Sequence, residues 1–295
     1  MLKLILYVLG AFLLFPLLNL LLGIRPFTFK TDVDPARFGL HYESVAFDTA
    51  DGITLRGWFI PTASTSGEHT PPGNSNQPAT IVIGHGYPFD KANILPHVLF
   101  LHSRFHLLLM DFRYFGESDG LYTTVGIREV HDVHAAVSYL QQREAVDPTR
   151  IGAMGFSMSA STFILAQNPA IRAIVADSPY ASLSGIVERQ FFFLPGPLKW
   201  PIVTLTRLYA KLLLGLDIDK AAPVNTVQDL KAPLLLIHGE ADSQIPAAHS
   251  RQIAANANPD STELWLIPRA DHGQAHAIEG PRYEERILTF FSRHL

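Results

Sequence analysis

The chain has 295 residues, 47% of them hydrophobic and 17% charged, which is too apolar for intrinsic disorder and enough to bury a large core in one α/β domain or two smaller ones. Lys and Arg number 23 against 27 Asp and Glu, a net charge of -4 with no block of like charge, so nucleic acid is not an expected partner. No cysteine is present, which excludes disulfide bonds, thiol nucleophiles and cysteine-ligated metal sites and leaves the compartment open.

Leu4 to Ile24 is an uncharged run rich in Leu, Ile, Val and Phe, long enough as a helix to cross about 30 Å of hydrocarbon. It is read as an uncleaved membrane anchor over residues 1–25. A cleaved secretory signal is the competing reading, but the run ends Leu22-Gly23-Ile24-Arg25-Pro26 without a small-residue cleavage site. A helix docked on its own domain is a third. Lys3 on one side faces Arg25, Lys30 and Arg37 on the other, so the orientation is open.

A single domain is expected over 26–295. His41 to Asp48 and Ile53 to Ile60 flank Asp51-Gly52 and read as a hairpin. Pro61 to Ala79 is dominated by Pro, Gly, Ser, Thr and Asn and reads as a flexible surface loop. Short apolar runs then recur at Thr80 to Ile83, His106 to Met110, Ile151 to Met154, Ile171 to Ala176, Leu234 to Ile237 and Leu264 to Ile267. Runs apolar on both faces belong to a parallel sheet buried under helices. The covering helices are expected at Thr124 to Arg143, Ser157 to Gln167, Ala247 to Asn256 and Arg282 to Arg293.

From Ser182 to Leu230 no strand signal appears. Phe191 to Leu216 carries Lys199, Arg207 and Lys211 and no acidic residue, with Ile202, Leu205, Tyr209, Leu212 and Leu216 at helical spacing and Arg207 and Lys211 on the opposite face. The segment, about 180–230, is expected to be an inserted helical cap. It either packs plainly on the sheet's helices or forms a lid whose apolar surface meets lipid or lipophilic substrate.

The chemistry centres on Gly155-Phe156-Ser157-Met158-Ser159, set between a strand and a helix. Small residues around a serine in such a turn let the backbone bend sharply and leave the hydroxyl exposed. The fifth position, usually Gly, is Ser159, and a helix-capping Ser157 is the plain alternative. Gly84-His85-Gly86-Tyr87 follows another strand and makes the Tyr87 amide a candidate oxyanion donor beside that of Met158. His85 itself reads as structural. A serine nucleophile needs a base and a group to orient the base, in the order Ser, acid, His. Asp242 and His272 follow two later strands, with Glu240 and Asp177 as rival acids and His276 as rival base.

Taken together, GHGY, DFRYFGES, GFSMS, HGEAD and ADHG in this order resemble the α/β-hydrolase superfamily, nearest to its membrane-anchored Bem46-like serine hydrolases, over about residues 40–295. The resemblance implies Ser157 as nucleophile, Asp242 as acid, His272 as base, and Tyr87 and Met158 as the oxyanion amides. Tyr114 stands where the family usually has Gly, which bears on pocket shape. Two patterns are discounted. His106 and Asp111 match an acyltransferase spacing but point to opposite faces of a strand. His131 and His134 share a helix face without a third ligand. The expectation is a serine hydrolase of small ester, thioester or lipid substrates, with no cofactor or metal. A non-catalytic lipid- or partner-binding member of the fold, or a peptidase or acyltransferase using the same three groups, is the alternative.

Overall fold

The computed structural model describes residues 1–62 and 77–295. Most of the loop expected between Pro61 and Ala79 therefore lies outside the described residues. Among the described residues, eight strands form one sheet, in the order β1-β2-β4-β3-β5-β6-β7-β8. The expected hairpin is β1 (Glu43–Asp48) and β2 (Thr54–Ile60), antiparallel, with Asp48 opposite Thr54. β2 pairs antiparallel with β4 (His106–Met110), after which β3 (Thr80–Gly84), β5 (Ile151–Phe156), β6 (Ile171–Asp177), β7 (Leu234–Gly239) and β8 (Thr262–Ile267) continue parallel. Every residue of β3, β4 and β7 is buried, as expected for strands covered on both faces. This is the α/β-hydrolase architecture.

The covering helices are α2 (Lys91–Val98), α3 (Glu129–Gln141), α4 (Met158–Ala166), α8 (Ala248–Asn256) and α10 (Pro281–His294), with a short α9 (Ala275–Glu279) before the last. α2 has no counterpart in the sequence reading, because eight residues interrupted by Pro96 carry too little periodicity. α3 starts five residues later than expected. Val125 and Gly126 take positive φ values of 52° and 110°, and the fully buried Glu129 carboxylate gathers their turn. It accepts the Thr123 hydroxyl (2.6 Å), the Thr124 amide (2.7 Å) and hydroxyl (2.6 Å), and the Gly126 amide (2.8 Å). Those bonds satisfy the polar groups that a helix would otherwise pair.

Between β6 and β7 lie α5 (Leu183–Gln190), α6 (Gly196–Leu214) and α7 (Pro223–Thr226), the expected helical insertion. Gly215 ends α6 at φ 66°, where a side chain is disfavoured. The buried stripe of α6 is Ile202, Val203, Thr206 and Ala210, rotated from the expected one: Leu205 and Tyr209 are half-buried and Leu212 is 69% exposed. Nor is Arg207 a free cation, since Glu188 (3.1 Å) and Asp219 (3.6 Å) reach it from flanking elements. Periodicity ranked Leu205, Tyr209 and Leu212 by hydropathy alone. α1 (Leu2–Ile24) packs along α6, and the half-buried Tyr209 reaches it with its hydroxyl, which donates to the Leu13 carbonyl (3.2 Å).

α1 is the one helix among the described residues long and apolar enough to span a membrane, with a mean hydropathy of 2.4 over its most apolar window. Its N-terminal turns stand exposed, whereas Leu20 and Ile24 are buried in the cluster that holds Phe191, Ile202 and Ala210 of the cap.

Candidate active site

The three expected groups arrive from three strand ends. Ser157 follows β5 and takes φ 56°, ψ -111°, a strained backbone for a residue with a Cβ. The turn is built from small residues for steric reasons. A Cβ on Gly155 would meet the Ala160 amide nitrogen at 2.5 Å, and one on Gly84 would meet the Ser159 Cβ at 2.5 Å. Gly84 thus makes the space for serine at the motif's fifth position. Ser159 uses it well: its hydroxyl accepts from the Phe156 amide (2.9 Å) and donates to the Phe156 carbonyl (3.0 Å), pinning the residue before Ser157.

His272 lies after β8 and Asp242 after β7. His272 Nε2 is 3.1 Å from Ser157 Oγ and its Nδ1 is 2.7 Å from Asp242 Oδ2. The imidazole rests on the Phe156 ring, centroids 4.9 Å apart. Glycines leave room for that ring, since a Cβ on Gly86 would approach it to 2.8 Å and one on Gly273 to 3.1 Å. Asp242 Oδ1 accepts the amides of Gln244 (2.9 Å) and Ile245 (2.7 Å). Burial on its own would raise the Asp242 carboxyl, but hydrogen bonds from His238 and His272 and the Ile245 amide outweigh it and hold the group well below the usual carboxylate range. It is therefore an anion across the pH range in which enzymes are assayed.

The rivals are engaged elsewhere. Glu240 pairs with Arg251 (2.9 Å), and His276 with Glu284 (2.9 Å). Asp177 is buried and accepts from Ser178 (2.8 Å) and the Tyr283 hydroxyl (2.9 Å), with burial raising its carboxyl against both bonds. His85 serves the backbone: its Nε2 accepts the Phe112 amide (3.1 Å), so Nδ1 carries the proton toward the Gly86 carbonyl (2.9 Å). Burial lowers it, in keeping with a neutral ring. His106 accepts the Thr62 amide (3.0 Å) while Asp111 binds Lys91 (2.6 Å), so the two do not form a unit. His134 pairs with Asn168 (2.9 Å).

Other residues of the site carried no clear signal in the sequence. His238, fully buried, has Nε2 2.7 Å from the Ile245 carbonyl and 3.3 Å from Asp242 Oδ2, and its Nδ1 is 2.7 Å from the Ser250 hydroxyl. It clamps the loop that presents Asp242, and the sequence marks it only by its place four residues earlier. Asp271 ties the two acid- and base-bearing loops together, accepting from the amides of Ser243 (2.8 Å) and His272 (2.8 Å).

Ser157, His272, Tyr87 and Met158 share a cavity of about 230 Å³. Met158 is the first residue of α4, so its amide belongs to the unpaired donors of a helix start, where the dipole favours negative charge. The remaining wall is mostly apolar: Val125, Leu183, Ile186 and Val187 from the body and α5, Ala210 from α6, and Leu20 and Ile24 from α1. Chemically, the arrangement lines up a carboxylate, an imidazole and a hydroxyl beside an apolar hole.

The prolyl oligopeptidase family model matches residues 118–295, from the turn after β4 to the C-terminus. The chain belongs to the prolyl oligopeptidase family. It is 30% identical over 254 residues to the uncharacterized protein YfhR of Escherichia coli K12, covering 84% of this chain and 80% of that one. It is 25% identical over 270 residues to the alpha/beta hydrolase domain-containing protein WAV2 of Arabidopsis thaliana, covering 89% and 82%. Among solved structures, the esterase Pf2001 of Pyrococcus furiosus superposes with a TM-score of 0.72 and 26% identity over 92% of this chain and 99% of that one. The protein is thus an α/β hydrolase by sequence and by fold.

Proposed function

We propose that the protein is a serine esterase that cleaves carboxylic esters or thioesters bearing apolar acyl groups, with Ser157, His272 and Asp242 as its catalytic triad. The observation that carries this reading is the chain of contacts from Asp242 through His272 to Ser157 opening into an apolar cavity. Ser157 Oγ attacks the acyl carbon as His272 Nε2 takes its proton. The tetrahedral oxyanion is held by the Tyr87 and Met158 amides. His272 then gives the proton to the departing alcohol or thiol, leaving an acyl-enzyme. A water, deprotonated by His272, attacks the acyl-enzyme, and His272 returns that proton to Ser157 Oγ as the acid is released. Likeness to the esterase Pf2001 supports the ester preference, while the family match favours a second reading, a peptidase acting through the same three groups.

The same proposal makes α1 a membrane anchor within a Bem46-like kinship, supported by its length, its exposed N-terminal turns and the five motifs. A fluorophosphonate probe tests the nucleophile: it should label the full chain at Ser157, and Ser157→Ala should abolish both labelling and ester hydrolysis. A panel of acyl esters against peptidyl-proline amides separates the two readings. Turnover of amides at rates equal to esters would replace the first by the second. Recovery of the full-length protein in a carbonate wash of membranes would remove the anchor.

A further inference from the structure

We propose that the N-terminal helix is itself part of the acyl-binding site. The last two turns of α1, from Asn19 to Ile24, form one wall of the pocket in front of Ser157, and the substrate's hydrocarbon chain lies between them and the cap. The inference rests on the esterase reading and deepens it by naming what selects the acyl group.

A tether needs no contact with the domain it carries, yet α1 ends in a set of specific ones. Asn19, Leu20, Gly23 and Ile24 all line the cavity that holds Ser157 and His272. Leu20 and Ile24 are only 9% and 7% exposed, whereas Leu9 higher on the same helix is 51% exposed. The carbonyls at a helix C-terminus lack partners within the helix, and here the hydrolase body supplies them. The Tyr87 hydroxyl donates to the Gly23 carbonyl (3.1 Å) and the Thr123 amide to that of Ile24 (2.9 Å). Just beyond, the Tyr114 hydroxyl donates to the Pro26 carbonyl (2.8 Å), and Arg25 Nε donates to the Leu121 carbonyl (2.9 Å). Tyr114 holds a left-handed backbone, φ 75°, that a glycine would adopt freely. A large side chain kept there despite the strain is explained by its reach to the segment leaving α1.

These contacts also join the helix to the chemistry. Tyr87 carries one of the oxyanion amides on its backbone and holds Gly23 with its side chain. The wall contributed by α1 offers aliphatic groups and one amide side chain and no charge, so the matching ligand is an aliphatic acyl chain rather than a polar or ionic group. Without α1, that side of the pocket would be open to solvent.

The test uses the full chain in detergent micelles with p-nitrophenyl acetate, butyrate, octanoate and dodecanoate. Leu20→Trp places a larger ring in the wall and should lower the octanoate-to-acetate ratio of kcat/KM by about tenfold or more, since each buried methylene contributes roughly fourfold. Leu20→Ala with Ile24→Ala widens the same space and should move the optimum to a longer chain. Retained fluorophosphonate labelling at Ser157 certifies that each variant is folded, and the double alanine variant carries the test should the tryptophan not fold. Leu9→Trp, on the exposed part of the helix, should keep the wild-type profile. Unchanged profiles in both pocket variants, or an equal change in Leu9→Trp, would overturn the role of α1 while leaving a labelled, active esterase in place. N-terminal sequencing of the isolated protein that begins beyond Ile24 would overturn it as well. A wild-type chain that no fluorophosphonate labels would instead sink the esterase reading itself.

Discussion

Asp242→Asn is the sharpest probe of the proposed triad, because the structure dictates which way the new amide must face. Oδ1 accepts two backbone amides, from Gln244 and Ile245. Only an acceptor can occupy that position, so the asparagine oxygen stays there and its NH₂ takes the place of Oδ2. That position lies 2.7 Å from His272 Nδ1. An NH₂ donates, so Nδ1 must accept, and the imidazole proton moves to Nε2. Nε2 then faces the Ser157 hydroxyl with a proton in place of a lone pair and can no longer act as a base. Loss of the base and of the anion beside it should lower kcat by about 10⁴, or about 5.5 kcal/mol of transition-state stabilisation. The Gln244 and Ile245 bonds survive the change; the His238 N–H loses its long contact to Oδ2 (3.3 Å) but keeps the shorter one to the Ile245 carbonyl (2.7 Å), so the midpoint of thermal unfolding should move by only a few degrees. Steady-state ester hydrolysis, with circular dichroism of the same samples, makes the measurement. Asp177→Asn and Glu240→Gln, whose carboxylates bind Tyr283 and Arg251, should each keep kcat within about threefold. A loss below tenfold in Asp242→Asn, or a larger loss in Asp177→Asn, would refute the assignment.

The Glu129 carboxylate offers one oxygen to the Thr124 amide and the other to the Gly126 amide, so either orientation of Glu129→Gln sets an NH₂ against a backbone N–H. Urea unfolding should show a loss of about 3 kcal/mol, and a loss under about 1 kcal/mol would contradict the clamp. Gly84→Ala should destabilise by about 1–3 kcal/mol through its clash with Ser159, and adding Ser159→Gly should recover at least half of that; additive effects in the double-mutant cycle would show that the two residues do not share the space. Burial pushes the His106 imidazole down to about 4, so between the ordinary value near 6.5 and that pH the unfolded chain binds the extra proton. Its contribution is thus complete above about pH 6.5 and is lost as pH falls, by about 2.6 kcal/mol at pH 4.5. His106→Asn should show that much less acid destabilisation than wild type in urea titrations, and parallel curves for the two would count against the buried neutral ring.

The order of elements and the candidate site residues were legible in the sequence because each depends on local pattern. A strand buried on both faces must be apolar over most of its run, and a sharp strand-to-helix turn must be small around its serine. Those demands are written in consecutive residues, as in Ile151 to Ser159. Asp242 stood beside Glu240 and Asp177 in the sequence, and only the packing of β6, β7 and β8 showed which carboxylate meets His272. The clamp of His238 on Asp242, the space Gly84 leaves for Ser159 and the four bonds to Glu129 depend on groups brought together across the fold or on a turn conformation without periodicity. The cap's inward face differs from the expected one for a related reason: hydropathy along α6 identifies apolar residues, but which of them turn inward depends on all the elements they meet. One of those elements is α1, almost two hundred residues away along the chain for the Tyr209 to Leu13 contact, and its sequence announces only an apolar cylinder. Its length and hydropathy follow from its own residues. That its last turns close a pocket follows from hydrogen-bonding and packing partners in distant loops, and distant partners leave no trace in local periodicity.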